Sequence, residues 1–416
     1  MSRADDAFAP TGDMLTAAQA RAALTAAVEP VRGRDSVGLF EAAGRVLAAD
    51  VVSGRAVPPC DNSAVDGYAV CAGDLDPDGE VALPVTGRVV AGGTLGRPGR
   101  RGEAARIFTG APVPEGYDTI LPQEVCREAS GNRIILPGAR RGSNLRRAGE
   151  DIEAGAVALR AGTRLRPQEI GLAASIGLAR LEVVRRPRVA VFSTGDELRE
   201  PGQPAEGAAI HDSNRYILAA LLGGLGCVVE DFGIVPDRPA AVRDALAGAA
   251  AGCDAVLTSG GVSTGEEDHV RAAVEALGRL EFWRVAIRPG RPLAFGRIGA
   301  VPFLGLPGNP VAVMVTFLML ARPLIQTLAG AAAPPPRGFP VTAGFAAKKR
   351  VGRREWLRAT IRRTPDGRAV ADRFPRDGSG ILTSMTESDG LVELPEELDC
   401  VREGDAVDFL PFSELL

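Results

Sequence analysis

The chain has 416 residues, more than a single hydrophobic core organises, so two to four domains are expected. Hydrophobic residues make up 45% and charged residues 24%, the balance of a globular protein in water, and the net charge of -4 argues against a general nucleic-acid or acidic-membrane binder. His211 and His269 are the only histidines, which argues against a His-based zinc centre and against a Ser-His-Asp triad.

Six cysteines without a CxxC pair read as reduced thiols of a cytoplasmic protein. The start, Met-Ser-Arg-Ala-Asp-Asp, lacks the basic and apolar regions of a signal peptide. The longest apolar run, Val311 to Ala321, is shorter than the roughly 20 residues that span a bilayer. No lysine follows a glycine, so no P-loop is present. Lys348 and Lys349 are the only lysines, and the remaining basic residues are all arginine.

In chain order, Leu15 to Val28 has helical periodicity and stops at Pro30, and Val37 to Ala48 reads as a second helix. Asn62-Ser63 and Asp66-Gly67 are turn dipeptides ahead of a possible strand at Tyr68. From Val81 to Pro137 short apolar runs cut by Gly and Pro suggest strands, with Thr109-Gly110 and two prolines forming a stiff loop that presents a hydroxyl. Pro167 starts a helix that, with the N-terminal helices, would make one small domain into which the β-rich segment is inserted.

From about Arg186 strands and helices alternate, which implies a mostly parallel sheet covered on both faces. The strands are expected at Val189–Phe192, Cys227–Ile234, Asp254–Leu257, Phe282–Ile287, Leu293–Gly296 and Val301–Leu306. Ligands of such sheets bind beyond the carboxyl ends of the strands. The polar signatures gather there: Thr194-Gly-Asp-Glu197, Asp237, Ser259 to Asp268, Arg288 to Arg291 and Pro307 to Pro310. Within the run Ser259-Gly260-Gly261-Val262-Ser263-Thr264-Gly265, glycines allow close backbone approach to an anion, and Glu266, Glu267 and Asp268 add carboxylates. Donors and carboxylates in one turn suit a phosphate accompanied by a divalent cation, although alone the run is equally well a helix start capped by Asp268. Asn309 followed by Pro310 is a further helix-start signal. After the linker Ala331–Pro336, the segment 337–416 reads as a small β-barrel or sandwich.

Seven motifs, in order, carry a resemblance. They are Asp61-Asn-Ser-Ala-Val-Asp-Gly-Tyr-Ala69, Thr109-Gly-Ala-Pro-Val-Pro114, Gly149-Glu-Asp151, Ser193-Thr-Gly-Asp-Glu197, Ser259 to Asp268, Pro289-Gly-Arg-Pro292 and Pro307-Gly-Asn-Pro310. The chain resembles the molybdopterin molybdotransferases, the family that includes the E domain of gephyrin and inserts molybdenum into molybdopterin. The resemblance implies four domains: a helical N-terminal domain at 1–50 and 145–185, a β-rich insertion at 51–144, a three-layer αβα molybdopterin-binding domain at 186–330, and a C-terminal β-barrel at 337–416. It implies a cytoplasmic homodimer that takes adenylylated molybdopterin and molybdate with Mg²⁺ and releases AMP. Its further partners would be a molybdopterin adenylyltransferase and molybdoenzyme chaperones.

Carried over by motif, the catalytic positions are Asp66, Thr109, Asp151, Glu197, Asp237, Arg284 and Arg288. Ligand-binding positions are Ser259, Gly260, Gly261, Ser263, Gly265, Arg291, Pro307, Gly308, Asn309 and Pro310, and Mg²⁺ falls to Asp268 and Asp237. The family has lysine where this chain has Arg284 and Arg288, and usually where it has Arg291. Guanidinium preserves oxyanion binding but cannot act as a neutral amine. An adenylyltransferase, which shares the αβα domain, and a gephyrin-like scaffold are the alternative readings; the segments around Asp66 and Thr109 and the C-terminal barrel argue against the first, and a scaffold would need a long linker to another domain.

Overall fold

The computed structural model describes residues 14–262 and 269–416. The central sheet has six strands in the order Val228–Val235, Arg188–Thr194, Ala255–Ser259, Val301–Leu306, Pro292–Ile298 and Gly278–Arg284. The first four run parallel and the last two are antiparallel to their neighbours. The pleat sends alternate side chains to opposite faces, so both faces of Arg188–Thr194 need cover. Val189 and Val191 join Leu218, Leu222 and Phe317 on one face. Ala190 and Phe192 join Val242, Leu246, Val270 and Val274 on the other. Helices Asn214–Gly224 and Pro310–Thr316, the latter continuing to Leu328, supply the first layer. Helices Pro239–Gly252 and His269–Leu277 supply the second. The apolar helix Pro310–Leu328 is long enough to cross a bilayer, but 78% of its most apolar window is buried inside the protein.

The C-terminal region closes into a barrel, because the strands Arg354–Arg363, Ala369–Arg373, Phe339–Ala343, Ala406–Pro411 and Gly390–Leu394 pair in that order and the last pairs back with the first. Leu357, Ala359, Val392, Leu394, Val401 and Phe409 fill it. The short strand Ile287–Arg288 leaves the αβα sheet and pairs with Arg354 and Glu355 of the barrel. That pairing locks the two regions together beside the strand ends. The insertion is a separate six-stranded sheet with its own two small cores, and Gly67–Val70, second from one edge, begins right after Asp66.

Three local expectations need correction. Val37 to Ala48 is not a helix: Arg34–Gly38 is a strand paired with Arg180–Val184, followed by a 3₁₀ turn at Leu39–Glu41. Cross-strand partners satisfy backbone groups that a helix would have to satisfy internally, and Gly38 and Gly44 weaken the helical alternative. Helix Ala17–Ala26 packs Ala20 and Leu24 into the αβα core with Ile325 and Leu328, rather than onto helix Pro167–Ser175. The strand expected at Phe282–Ile287 is two strands in different sheets, ending at Arg284 and restarting at Ile287.

Candidate active site

A cleft of about 1030 Å³ lies at the carboxyl ends of the parallel strands, roofed by the barrel of the same chain. Glu197, Asp237, Ser259, Gly260, Gly261, Arg288, Arg291, Pro307, Gly308, Asn309 and Pro310 line it. All but Arg291 leave the end of a strand or start the helix that follows, and Arg291 precedes the antiparallel strand Pro292–Ile298, whose start lies at the same edge, which is why residues more than 100 positions apart converge. Ser263, Gly265 and Asp268 lie outside the described residues.

The Ser259–Gly261 turn is sterically constrained. Gly260 and Gly261 have φ of +88° and +64°. A Cβ on Gly260 would stand 2.5 Å from the Thr194 carbonyl oxygen, and one on Gly261 would stand 2.6 Å from Val270 Cγ2. Only glycine fits both the backbone conformation and the space. Ser259 Oγ donates to the Pro307 carbonyl at 3.0 Å and accepts from Asn214 Nδ2 at 2.8 Å. Asn214 Nδ2 also donates to the Gly308 carbonyl at 2.6 Å. Ser259 and Asn214 therefore brace the two glycine turns against each other, so the Ser259 hydroxyl proton is committed to the scaffold. Asn214 Oδ1 and Thr194 Oγ1, both on residues lining the cleft, are buried without a hydrogen-bond partner among the described residues. Buried polar atoms in this state are a common feature of ligand sites.

The barrel side of the cleft is cationic. Arg288 is 39% exposed and its Nη1 sits 3.5 Å from the buried Glu355 carboxylate. Glu355 is shared, because Arg353 Nε reaches its other oxygen at 2.7 Å. Arg358 is only 7% exposed; it donates from Nε to Ser384 Oγ at 3.0 Å and from Nη2 to the Gly378 carbonyl at 3.2 Å. Burial pulls its pKa below the ordinary arginine value, with Asp377 the chief opposing charge. Asp377 is itself raised by burial, but Arg373, Arg288 and Arg358 outweigh this and hold it below the usual carboxylate range. Sequence reasoning missed Arg358, Asp377 and Asn214. Among so many arginines nothing marked Arg358, and only barrel closure brings it to the cleft.

Four of the expected site residues are not in this cleft. Asp66 and Thr109 do meet: the Asp66 carboxylate accepts from Thr109 N at 2.8 Å and Thr109 Oγ1 at 2.7 Å. These bonds hold Asp66 below the ordinary carboxylate pKa. Both belong to the insertion, and neither they nor Asp151 line the cleft. Asp151 lines a separate surface depression with Gly149 and Glu150. Arg284 also lies off the cleft lining. Even spacing from Arg288 would put it on the same face only within one strand, and the chain changes sheets between them.

Beneath one wall, Arg215 holds three segments together. Its guanidinium binds Asp231 at 2.6 Å, Glu200 at 2.5 Å and Asp212 at 3.2 Å. Burial lowers its pKa, but the three carboxylates outweigh that and raise it above the ordinary arginine value. Glu200 follows Glu197 by three residues, Asp212 lines the cleft, and Asp231 lies on the strand leading to Asp237. Arg215→Met is expected to lower stability by about 3 kcal/mol, since it leaves buried Asp212 uncompensated. Chemical denaturation measures this, and a loss below 1 kcal/mol would show that these segments hold their places without Arg215.

A multidomain αβα enzyme with its cleft at the sheet's carboxyl edge is the class defined by this arrangement. Residues 15–177 match the family described as MoeA N-terminal region (domain I and II), 190–327 the probable molybdopterin binding domain, and 340–412 the MoeA C-terminal region (domain IV). The chain belongs to the molybdopterin molybdenumtransferase family. It is 38% identical to the molybdopterin molybdenumtransferase of Haemophilus influenzae, over 97% of this chain and 100% of that one. It is 36% identical to molybdopterin molybdenumtransferase 2 of Mycobacterium tuberculosis, over 89% and 93% of the two chains. Among solved structures, the molybdopterin biosynthesis moeA protein of Pyrococcus horikoshii OT3 superposes with a TM-score of 0.83 at 28% identity, covering 96% of this chain and 100% of that one.

Proposed function

We propose that this chain transfers molybdenum from molybdate to adenylylated molybdopterin, with release of AMP. The observation that carries the reading is the meeting, in one cleft, of the Ser259–Gly261 turn with the cations Arg288, Arg291 and Arg358. One feature suits a phosphate, the other a small dianion. The Gly260 N–H already donates to the Leu306 carbonyl at 3.2 Å, so the Gly261 N–H is the turn's donor toward the AMP phosphate. The guanidiniums draw molybdate to the opposite wall and offset charge as the dithiolene sulfurs take the metal, molybdate oxygen leaving as water, and as a water or molybdate oxygen attacks the anhydride phosphorus and AMP departs. Glu197 and Asp237 stand where a carboxylate can orient water or accept a proton. Fixed charge, with no covalent nucleophile, supplies most of the acceleration.

Mg²⁺ fits this donor set by type. Among the described residues no cluster of three or more His, Cys, Asp or Glu forms a cage, and Mg²⁺ needs none, since one or two carboxylates with water and phosphate oxygens suffice. Asp237 and Asp268 would hold it, and bound there it would neutralise phosphoanhydride charge. We assign Asp66, Thr109 and Asp151 to the cleft of the partner in a homodimer, since they lie on other surfaces of their own subunit. The proposed compartment is the cytoplasm, with a molybdopterin adenylyltransferase and molybdoenzyme chaperones as neighbours in the reaction sequence.

The test is to mix purified protein with adenylylated molybdopterin, molybdate and Mg²⁺ and to follow AMP. Molybdate-dependent AMP release is expected, and its absence would refute the proposal. Asp268→Ala is expected to abolish the Mg²⁺-dependent turnover with thermal stability unchanged, because it falls in a polar run between the strand and helix. Normal AMP release by that variant would remove Asp268 from the site.

A further inference from the structure

Glu355 is a buried carboxylate that the proposed reaction leaves unused. Its side chain is only 2% exposed and does not line the cleft, yet it stands behind a residue that does. The strand Ile287–Arg288 runs parallel to Arg354–Arg363 with Arg288 opposite Glu355, so the register of the pairing sets the two residues side by side.

Two cations share the carboxylate unequally. Arg353 Nε donates to Oε1 at 2.7 Å, whereas Arg288 Nη1 stands 3.5 Å from Oε2. Charge-assisted hydrogen bonds run to roughly 2.7–2.9 Å, so Arg353 is bonded and Arg288 is held by attraction alone. A buried carboxylate is costly without a bonded partner, and Arg353 supplies one from outside the cleft. Arg288 can therefore turn away without leaving a buried charge uncompensated. Asp377, the carboxylate of the cleft lining on the barrel side, is bound by Arg373. A fixed negative charge behind a cation that draws a dianion opposes binding, so Glu355 works against the strongest oxyanion affinity this wall could offer.

We propose that Glu355 is a positioning residue that gives Arg288 a weak resting partner, which an incoming tetrahedral dianion must displace and to which Arg288 returns when the anion leaves. The inference rests on the reading of the cleft as the molybdate site. Calorimetric titration with molybdate, and with sulfate as a dianion of the same shape that no turnover consumes, tests it. Glu355→Gln is expected to lower the Kd for both anions about fivefold, the size of one partly exposed charge pair, and to leave the half-saturating adenylylated molybdopterin concentration unchanged. Arg288→Gln should weaken sulfate binding more in the Glu355→Gln background than in the wild type, because the competitor is then gone. Glu355→Asp keeps the charge that compensates Arg353, and so the fold, but draws it back by one methylene; it should tighten binding less than Glu355→Gln. Unchanged or weaker anion binding in both folded variants overturns the proposal and makes Glu355 a brace for Arg353. A wild-type chain that binds neither anion overturns both this inference and the molybdate site. Anion binding with the expected shifts, but no molybdate-dependent AMP release, refutes the proposed reaction and leaves this inference standing.

Discussion

Mixing Asp66→Ala subunits with Asp237→Ala subunits, each inactive alone, is expected to restore about one quarter of the wild-type AMP release, because random reassortment makes half the dimers hybrid and each hybrid has one intact cleft. The expectation follows from where the structure puts the two groups. Asp66 sits on the insertion with its carboxylate braced by Thr109, while Asp237 lines the cleft of the αβα domain. Bracing by a backbone N–H and a hydroxyl keeps Asp66 ionised, a state suited to orienting a ligand and unneeded for holding an exposed turn. Subunits must be exchanged by dilution before assay, and the dimer must be verified by mass. A verified hybrid with no recovered activity would mean that Asp66 serves its own subunit or only the fold of the insertion.

Alternation of apolar runs with helical periodicity made the αβα region legible, because strands buried on both faces and helices buried on one leave distinct patterns. Val189–Phe192 is one case, and the strand extends from Arg188 to Thr194. The gathering of Glu197, Asp237, Ser259 and Pro307 in one cleft was legible for the same reason, since each follows the end of a strand. What failed depended on partners distant in sequence. Val37 to Ala48 has apolar spacing compatible with a helix, and only pairing of Arg34–Gly38 with Arg180–Val184 decides for extended chain. Arg284 and Arg288, four residues apart, share one pleat phase, but the strand Ile287–Arg288 is captured by the barrel. Asn214, at the start of the helix Asn214–Gly224, carries no site signal in the sequence, yet its side chain braces Ser259 and the Gly308 carbonyl.

Arg358→Gln is expected to raise the molybdate concentration for half-maximal AMP release about tenfold, equivalent to roughly 1.4 kcal/mol, with little change for adenylylated molybdopterin. Arg288→Gln should have a smaller effect, because Glu355 already offsets part of its charge at 3.5 Å. Salt separates the two. Exposed charges are screened beyond roughly 8 Å at physiological ionic strength, while a buried charge is screened less. Arg288 is 39% exposed, so its contribution should fade as salt rises. Arg358, held among Ser384, the Arg376 carbonyl and the Gly378 carbonyl, should keep its contribution. Arg358→Lys retains the charge but not the planar fork, and it should recover part of the loss if attraction dominates and none if two-point geometry does. Gln retains a donor for the surrounding acceptors, so melting temperatures should stay close to wild type. An Arg358→Gln enzyme with unaltered molybdate dependence at low and high salt would leave Arg358 as a brace for the loop Asp377–Gly380, with molybdate held by Arg288 and Arg291.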